Sequence, residues 1–146
     1  MHAGLDFGTS NNALSICEPD GSVRLLNLEG HSPLLPSALH TAERELVPLL
    51  VLDYLDGDIR DAYAKKRSGD IARAQRIIIE EGLSGETLLA FGGAAFKAYM
   101  ANPGEGYFIK SPKSFLGVTG LGQSQLSLFE DLCTLLLGEI KRRGEA

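Results

Sequence analysis

A mixed α/β fold is what this sequence predicts, and three observations predict it. Residues Asn12 to Cys17 alternate, with Ala13, Ser15 and Cys17 on one face and Leu14 and Ile16 on the other, the two-residue period of a strand. Residues Gln123 to Arg143 carry Phe129, Leu132, Cys133, Leu136 and Ile140 at spacings of three and four, the period of a helix. Between them, shorter strand and helix patterns are separated by proline- and glycine-rich turns. With 146 residues, 44% of them apolar and 23% charged, the chain suits one soluble domain with a real core, or a piece of a larger one.

Taken in order, Ala3 to Phe7 is a short apolar strand and Gly8 to Asn11 a turn. Asn12 to Cys17 is the second strand, Glu18-Pro19-Asp20-Gly21 a strong turn, and Val23 to Glu29 the third strand, giving an N-terminal β-meander. His31 to Ser37, punctuated by Pro33 and Pro36, is a connector to an extended stretch, Ala38 to Thr41. Residues 42–87 are the least legible. Asp58 to Arg67 and Ile71 to Glu81 have helical composition, with Ser68-Gly69-Asp70 between them. Leu88 to Phe91 is a candidate strand, and Gly92 to Ala101 a helix burying Ala94, Ala95 and Ala98, with Phe91 and Tyr99 beside them. Tyr107-Phe108-Ile109 is aromatic and β-branched, as strands are. The helix from Gln123 ends at Arg143, where Gly144 supplies a stop. So wide an apolar stripe needs a sheet to cover, which creates the expectation that further strands come after it in a longer protein.

The formal net charge of -5 gives no basic field to attract nucleic acid or an anionic membrane, so neither is expected as a partner. Lys65-Lys66-Arg67 and Lys141-Arg142-Arg143 suit solvated helix faces or C-terminal turns. Cys17 and Cys133 lack metal or redox spacing and are expected as reduced core residues. His2, His31 and His40 have no neighbouring ligand cluster. No signal-peptide pattern or bilayer-length apolar run is present, so the cytoplasm is the expected compartment.

The chemistry concentrates in Asp6-Phe7-Gly8-Thr9-Ser10-Asn11-Asn12. Two readings stand. The residue types are those of a hairpin turn. They also suit an anion-binding nest: Gly8 lets a phosphate approach the backbone and can take φ > 0, Thr9 and Ser10 add hydroxyl donors, and Asp6 can hold water ligands of Mg²⁺. It is not a Walker A loop, because no Gly-Lys-Ser/Thr precedes a helix.

The stretch Gly4 to Asn11 resembles the first phosphate loop of the Hsp70 nucleotide-binding domain, within the actin-like ATPase superfamily. Three further stretches agree in order. Leu35-Pro36-Ser37 falls where the family has Pro-Ser before a strand. Phe91 to Lys97 (Phe-Gly-Gly-Ala-Ala-Phe-Lys) is similar to its Gly-x-Ala-Ala helix opening, and Lys113-Ser114-Phe115-Leu116-Gly117 to the segment carrying its catalytic lysine. The wording around Lys113 is most similar to the YegD-type bacterial Hsp70-like proteins. Residues 58–81 depart from the pattern of typical Hsp70 chaperones. Lys113 has the family distance to Leu116-Gly117, and Lys110 is the alternative.

The resemblance implies a partial actin-like, ribonuclease H-like ATPase domain. Residues 1–36 and 121–146 would belong to the base subdomain, and 37–120 to an inserted upper α+β subdomain from which a helix returns. It implies ATP and Mg²⁺ as ligands and ATP hydrolysis in the intact protein. Gly8, Thr9, Ser10 and Asn11 would bind phosphate, Asp6 would reach Mg²⁺ through water, and Lys113 would be catalytic. Client polypeptides and co-chaperones are the partners it suggests. The family's second phosphate loop, catalytic carboxylates and adenosine motif do not occur in these residues, so residues 1–146 alone are expected to be inactive. Three rivals stay open: a sugar kinase of the same superfamily, an actin-like filament protein, and a non-enzymatic binding module.

Overall fold

The computed structural model describes residues 2–85 and 88–146, which form two antiparallel sheets and five α-helices. The fold is mixed α/β. In the first sheet, β1 (His2–Phe7) and β2 (Asn11–Cys17) form a hairpin in register from His2 opposite Cys17 to Phe7 opposite Asn12. β3 (Val23–Leu25) and β4 (Leu34–Pro36) share the other edge of β2. In the second sheet, β5 (Ala38–Thr41) lies between β6 (Leu89–Phe91) and β7 (Tyr107–Lys110). The sheets meet at Ser37, and one cluster of buried side chains runs beneath both, from Leu28 and Leu35 through Leu39 and Phe91 to Leu132 and Leu136.

The third strand is shorter than its sequence suggests, stopping at Leu25 rather than Glu29. β4 pairs with Asn11 to Ala13 and so occupies the rest of that edge. The chain therefore leaves after Leu26 donates to the Leu14 carbonyl, and Leu28 and Glu29 pair with Ser32 instead. The supposed connector thus contains a strand. Pro36 is tolerated in it because β4 pairs on one side only, and Pro33 lies just before the strand.

Much of 42–57, illegible in sequence, is core. A 3-10 turn (Arg44–Leu46), α1 (Val47–Val51) and a second 3-10 turn (Leu52–Tyr54) bury Leu46, Val47, Leu50 and Val51. A run buried all round shows no period, which is why it has none to read. α2 (Gly57–Lys66) and α3 (Ser68–Glu81) divide at Arg67, so Ser68-Gly69-Asp70 is the first turn of α3 and not a break. Asp70 there has the favourable sign for the helix dipole.

α4 (Gly92–Ala101) has the expected bounds but a narrower inner stripe. Phe91 and Ala95 are buried and Ala98 half-buried, whereas Ala94 and Tyr99 are exposed. Tyr99 stacks on Phe108, 4.7 Å between ring centres. Gly92, at φ 58°, starts this helix where Glu29 Oε1 accepts the Gly93 N–H at 2.7 Å. A Cβ on Gly92 would lie 2.6 Å from Leu35 Cδ1 and 2.8 Å from Glu29 Oε1. Gly92→Ala should therefore cost about 1–2 kcal/mol from the left-handed backbone alone, seen as a lower denaturation midpoint. An unchanged midpoint would show that the backbone relaxes freely.

α5 (Gln123–Glu145) buries Leu132, Cys133, Leu135, Leu136 and Ile140. Gly144 is not its stop. It lies in the last turn, where a Cβ would collide with the Leu14 side chain, so its role is to let the helix end approach β2. Both cysteines are free, Cys133 buried and Cys17 half-buried, and burial pushes the Cys133 thiol above its ordinary value.

The same helix carries two buried carboxylates. Asp131 accepts from the Tyr63 hydroxyl at 2.9 Å and from Arg67 Nη1 at 2.8 Å. Glu139 accepts from the Tyr54 hydroxyl at 2.9 Å and from Arg143 Nε at 2.7 Å, and pairs with Arg142 at 2.5 Å. The basic triplets are therefore split. Lys65, Lys66, Lys141 and Arg142 are exposed as expected, but Arg67 and Arg143 turn inward to meet these carboxylates. Burial raises the Asp131 carboxyl above its ordinary value, with the Arg67 cation pulling the other way. Burial, reinforced by those carboxylates, pushes both tyrosine hydroxyls up. Among the described residues no helix is long and apolar enough to cross a membrane.

Candidate functional site

The turn after β1 is, as one reading had it, a hairpin connection. What sets it apart is how it is held. Four successive carbonyl oxygens each accept a hydrogen bond from a residue distant in sequence. Phe7 O accepts from Lys113 Nζ at 2.6 Å, and Gly8 O from the Ser37 hydroxyl at 2.9 Å. Thr9 O accepts from the Ser111 hydroxyl, and Ser10 O from the Ser37 N–H at 2.9 Å. A two-stranded hairpin needs no such support, since its own ladder fixes its turn.

With those acceptors claimed, the donors remain. Among the described residues, no hydrogen bond in the turns and loops uses the N–H of Gly8, Thr9 or Ser10. Thr9, Ser10 and Asn11 are exposed, with Asn11 opening β2 opposite Pro36. Gly8 is not among the glycines at positive φ, so the left-handed freedom expected of it is not what the turn uses. Its requirement is space, because a Cβ there would collide with the Asn11 carbonyl. Asp6 is exposed on β1 opposite Ala13, one residue before Phe7.

The two candidate lysines differ in place. Lys113 sits in a 3-10 turn (Pro112–Phe115), its ammonium on Phe7 O and 5.9 Å from the centre of the Phe7 ring. Lys110 ends β7 opposite Ala38, exposed, with no side-chain hydrogen bond or ion pair among the described residues. Lys113 is the lysine brought to the turn.

Three residues of this cluster are not evident as participants from the sequence. Asn12 is fully buried, its Nδ2 donating to Leu35 O at 3.1 Å and to the Ser37 hydroxyl at 2.9 Å. Its Oδ1 is buried and has no partner among the described residues. A signal existed, because the two-residue period puts Asn12 on the same face as Leu14 and Ile16, where an amide needs partners. Ser37 stands out in sequence for its neighbour Pro36 and not for its hydroxyl. Ser111 is the non-glycine residue at positive φ among the described residues, at 56° and just before Pro112. That backbone disfavours any L-residue, and nothing in the local sequence announces it. The left-handed turn delivers its hydroxyl to Thr9 O.

The donors gathered here are of the kind an anion uses. The arrangement offers unclaimed N–H groups, two exposed hydroxyls and a flanking ammonium with donors to spare. Among the described residues no three His, Cys, Asp or Glu side chains come together as a metal cluster. No family model matches this chain, and no solved structure matches it.

Proposed function

We propose that this chain is the N-terminal part of an Hsp70-like ATPase of the actin-like superfamily, with Gly8 to Asn11 as its first phosphate loop. One observation carries the reading: every carbonyl from Phe7 to Ser10 already accepts from Lys113, Ser37 or Ser111, while no turn or loop bond among the described residues uses the N–H of Gly8, Thr9 or Ser10, so the unmatched capacity of the loop is weighted toward donors. That polarity suits a phosphate and is wasted on a bare hairpin. In this reading residues 37–120 form an upper subdomain inserted in the base, and the protein works in the cytoplasm with client polypeptides or co-chaperones as partners.

The chemistry is phosphoryl transfer from ATP to water, governed by positioning and charge neutralisation. Gly8, Thr9, Ser10 and Asn11 hold the β- and γ-phosphates through N–H and hydroxyl donors. Mg²⁺ carried by those phosphates would offset their charge. A lone Asp6 fits it through water and not as one of several direct ligands, since Mg²⁺ keeps most of its hydration when phosphates bind it. Lys113, already at the loop's edge, supplies positive charge where negative charge grows on the γ-phosphoryl oxygens.

The test is Mg-ATP binding by the intact protein and its Gly8→Val variant. A branched side chain must displace the Asn11 carbonyl and so reshape the loop, while the site lies outside the core. Nucleotide binding should be lost with the far-ultraviolet circular dichroism unchanged. Normal binding by the variant, or no binding by the wild type, would leave the turn a hairpin connection only.

A further inference from the structure

We infer that Ser37 and Ser111 form a clasp that sets Lys113 in register with the first turn, which makes Ser37 a positioning residue of the site. Its role in turnover rests on the ATPase reading above; the clasp itself does not. Ser37 is 2% exposed and uses its backbone and side-chain bonding together. Its N–H donates to Ser10 O and its hydroxyl to Gly8 O. The same hydroxyl accepts from Asn12 Nδ2, and its carbonyl accepts the Ser111 N–H at 2.8 Å.

The placement explains the reach. Ser37 immediately precedes β5 and Ser111 immediately succeeds β7, strands whose pairing ends at Ala38 opposite Lys110. The Ser111-to-Ser37 bond extends that ladder by one step, and from this end both hydroxyls cross to the turn of the other sheet. Ser111 also fixes the next turn of the chain, because its carbonyl accepts the Ser114 N–H at 3.0 Å and so closes the 3-10 turn that carries Lys113. Lys113 is itself exposed, and its long side chain has little packing beyond Phe7 to hold it. Where its ammonium stands relative to the phosphate loop is therefore set by the backbone it grows from, and the clasp sets that backbone. Ser37→Ala removes the Asn12-to-Ser37-to-Gly8 relay while leaving the backbone bonds of residue 37 in place.

The experiment uses the intact protein with Ser37→Ala, Lys113→Ala and the double variant. Ser37→Ala should lower kcat for ATP about 10- to 100-fold, the cost of misplacing a reacting group by about an ångström, with a smaller loss of nucleotide affinity because the same hydroxyl also holds Gly8 of the loop. In the Lys113→Ala background it should add almost nothing, because a residue that acts through Lys113 has nothing left to position. Additive losses, or a loss confined to affinity, would overturn the positioning role. Hydrogen exchange without nucleotide decides the clasp separately. Ser37→Ala should quicken exchange in peptides spanning 7–13 and 111–118 together, and an effect on neither or on only one refutes the coupling. If both quicken but the wild type hydrolyses no ATP, the ATPase reading and the catalytic role fall while the clasp stands.

Discussion

Lys113→Ala in the intact protein should reduce ATP turnover by about 10²–10³, the usual loss when one electrostatic donor to a transition state is removed, while ATP binds nearly as well as before. The split arises from where the ammonium is. In the ligand-free site one of its donors rests on the Phe7 carbonyl, so in the proposed mechanism its contribution to ground-state binding is the smaller part. Its value grows only as charge develops on the transferring group, and such interactions lower kcat rather than raise KM when lost. Lys110→Ala should do far less, since that lysine lies beyond the turn at the end of β7. Single-turnover hydrolysis and nucleotide affinity for both variants decide the matter. Wild-type hydrolysis by Lys113→Ala would remove it from the chemistry, and impairment of Lys110→Ala alone would transfer the role there.

The largest effect on stability should come from Arg67→Ala. Arg67 is 16% exposed at its side chain and Asp131 6%, so the pair is nearly dry. Removing the cation leaves a buried carboxylate with the Tyr63 hydroxyl as its remaining donor, which typically costs about 3–5 kcal/mol. Adding Asp131→Asn should recover much of it, because an amide can still accept from Tyr63 without carrying charge. The pH dependence has a definite sign. Burial raises the Asp131 carboxyl in the fold, so its neutral form is the one the fold favours. That contribution is fully present below the unfolded value of 3.8 and is lost as pH rises through the raised folded value. Relative to Asp131→Asn, the wild type should therefore gain stability as pH falls towards 3.8. The Arg67→Ala deficit should likewise shrink in acid. Urea midpoints across that range test both, and an Arg67→Ala variant within about 0.5 kcal/mol of wild type, as for an ordinary surface change, would make the pair incidental.

Periodic and punctuated segments were legible in the sequence. The hairpin of β1 and β2, the strand before residue 42, α4 and α5 lie within a residue or two of their expected bounds. The sequence also marked the turn from Gly8 to Asn11 as the place to look, because glycine, hydroxyl and carboxylate residues stand together there. Segments whose state depends on a neighbour were not legible. Val23 to Glu29 has the composition of a longer strand but loses its ladder partner to β4. Val47 to Val51 carries no period because it is buried nearly all round. Gly144 has the residue type of a helix stop, yet the helix runs on to Glu145 and the missing Cβ instead makes room for Leu14.

By itself the sequence determined the mixed α/β class, the meander and the main helix, since hydrophobic period and turn chemistry are local properties that fix local structure. Only the tertiary structure decided which distant donors hold the turn after β1: Ser37, Ser111 and Lys113 reach it across 27 to 106 residues, as do the partners of Asp131 across more than sixty. It likewise decided between Lys113 and Lys110 at the turn, and turned Arg67 and Arg143 inward. The physical reason is common to all of these. A hydrogen bond or a buried charge is specified by its partner in space, and the chain's local pattern carries no record of who that partner is.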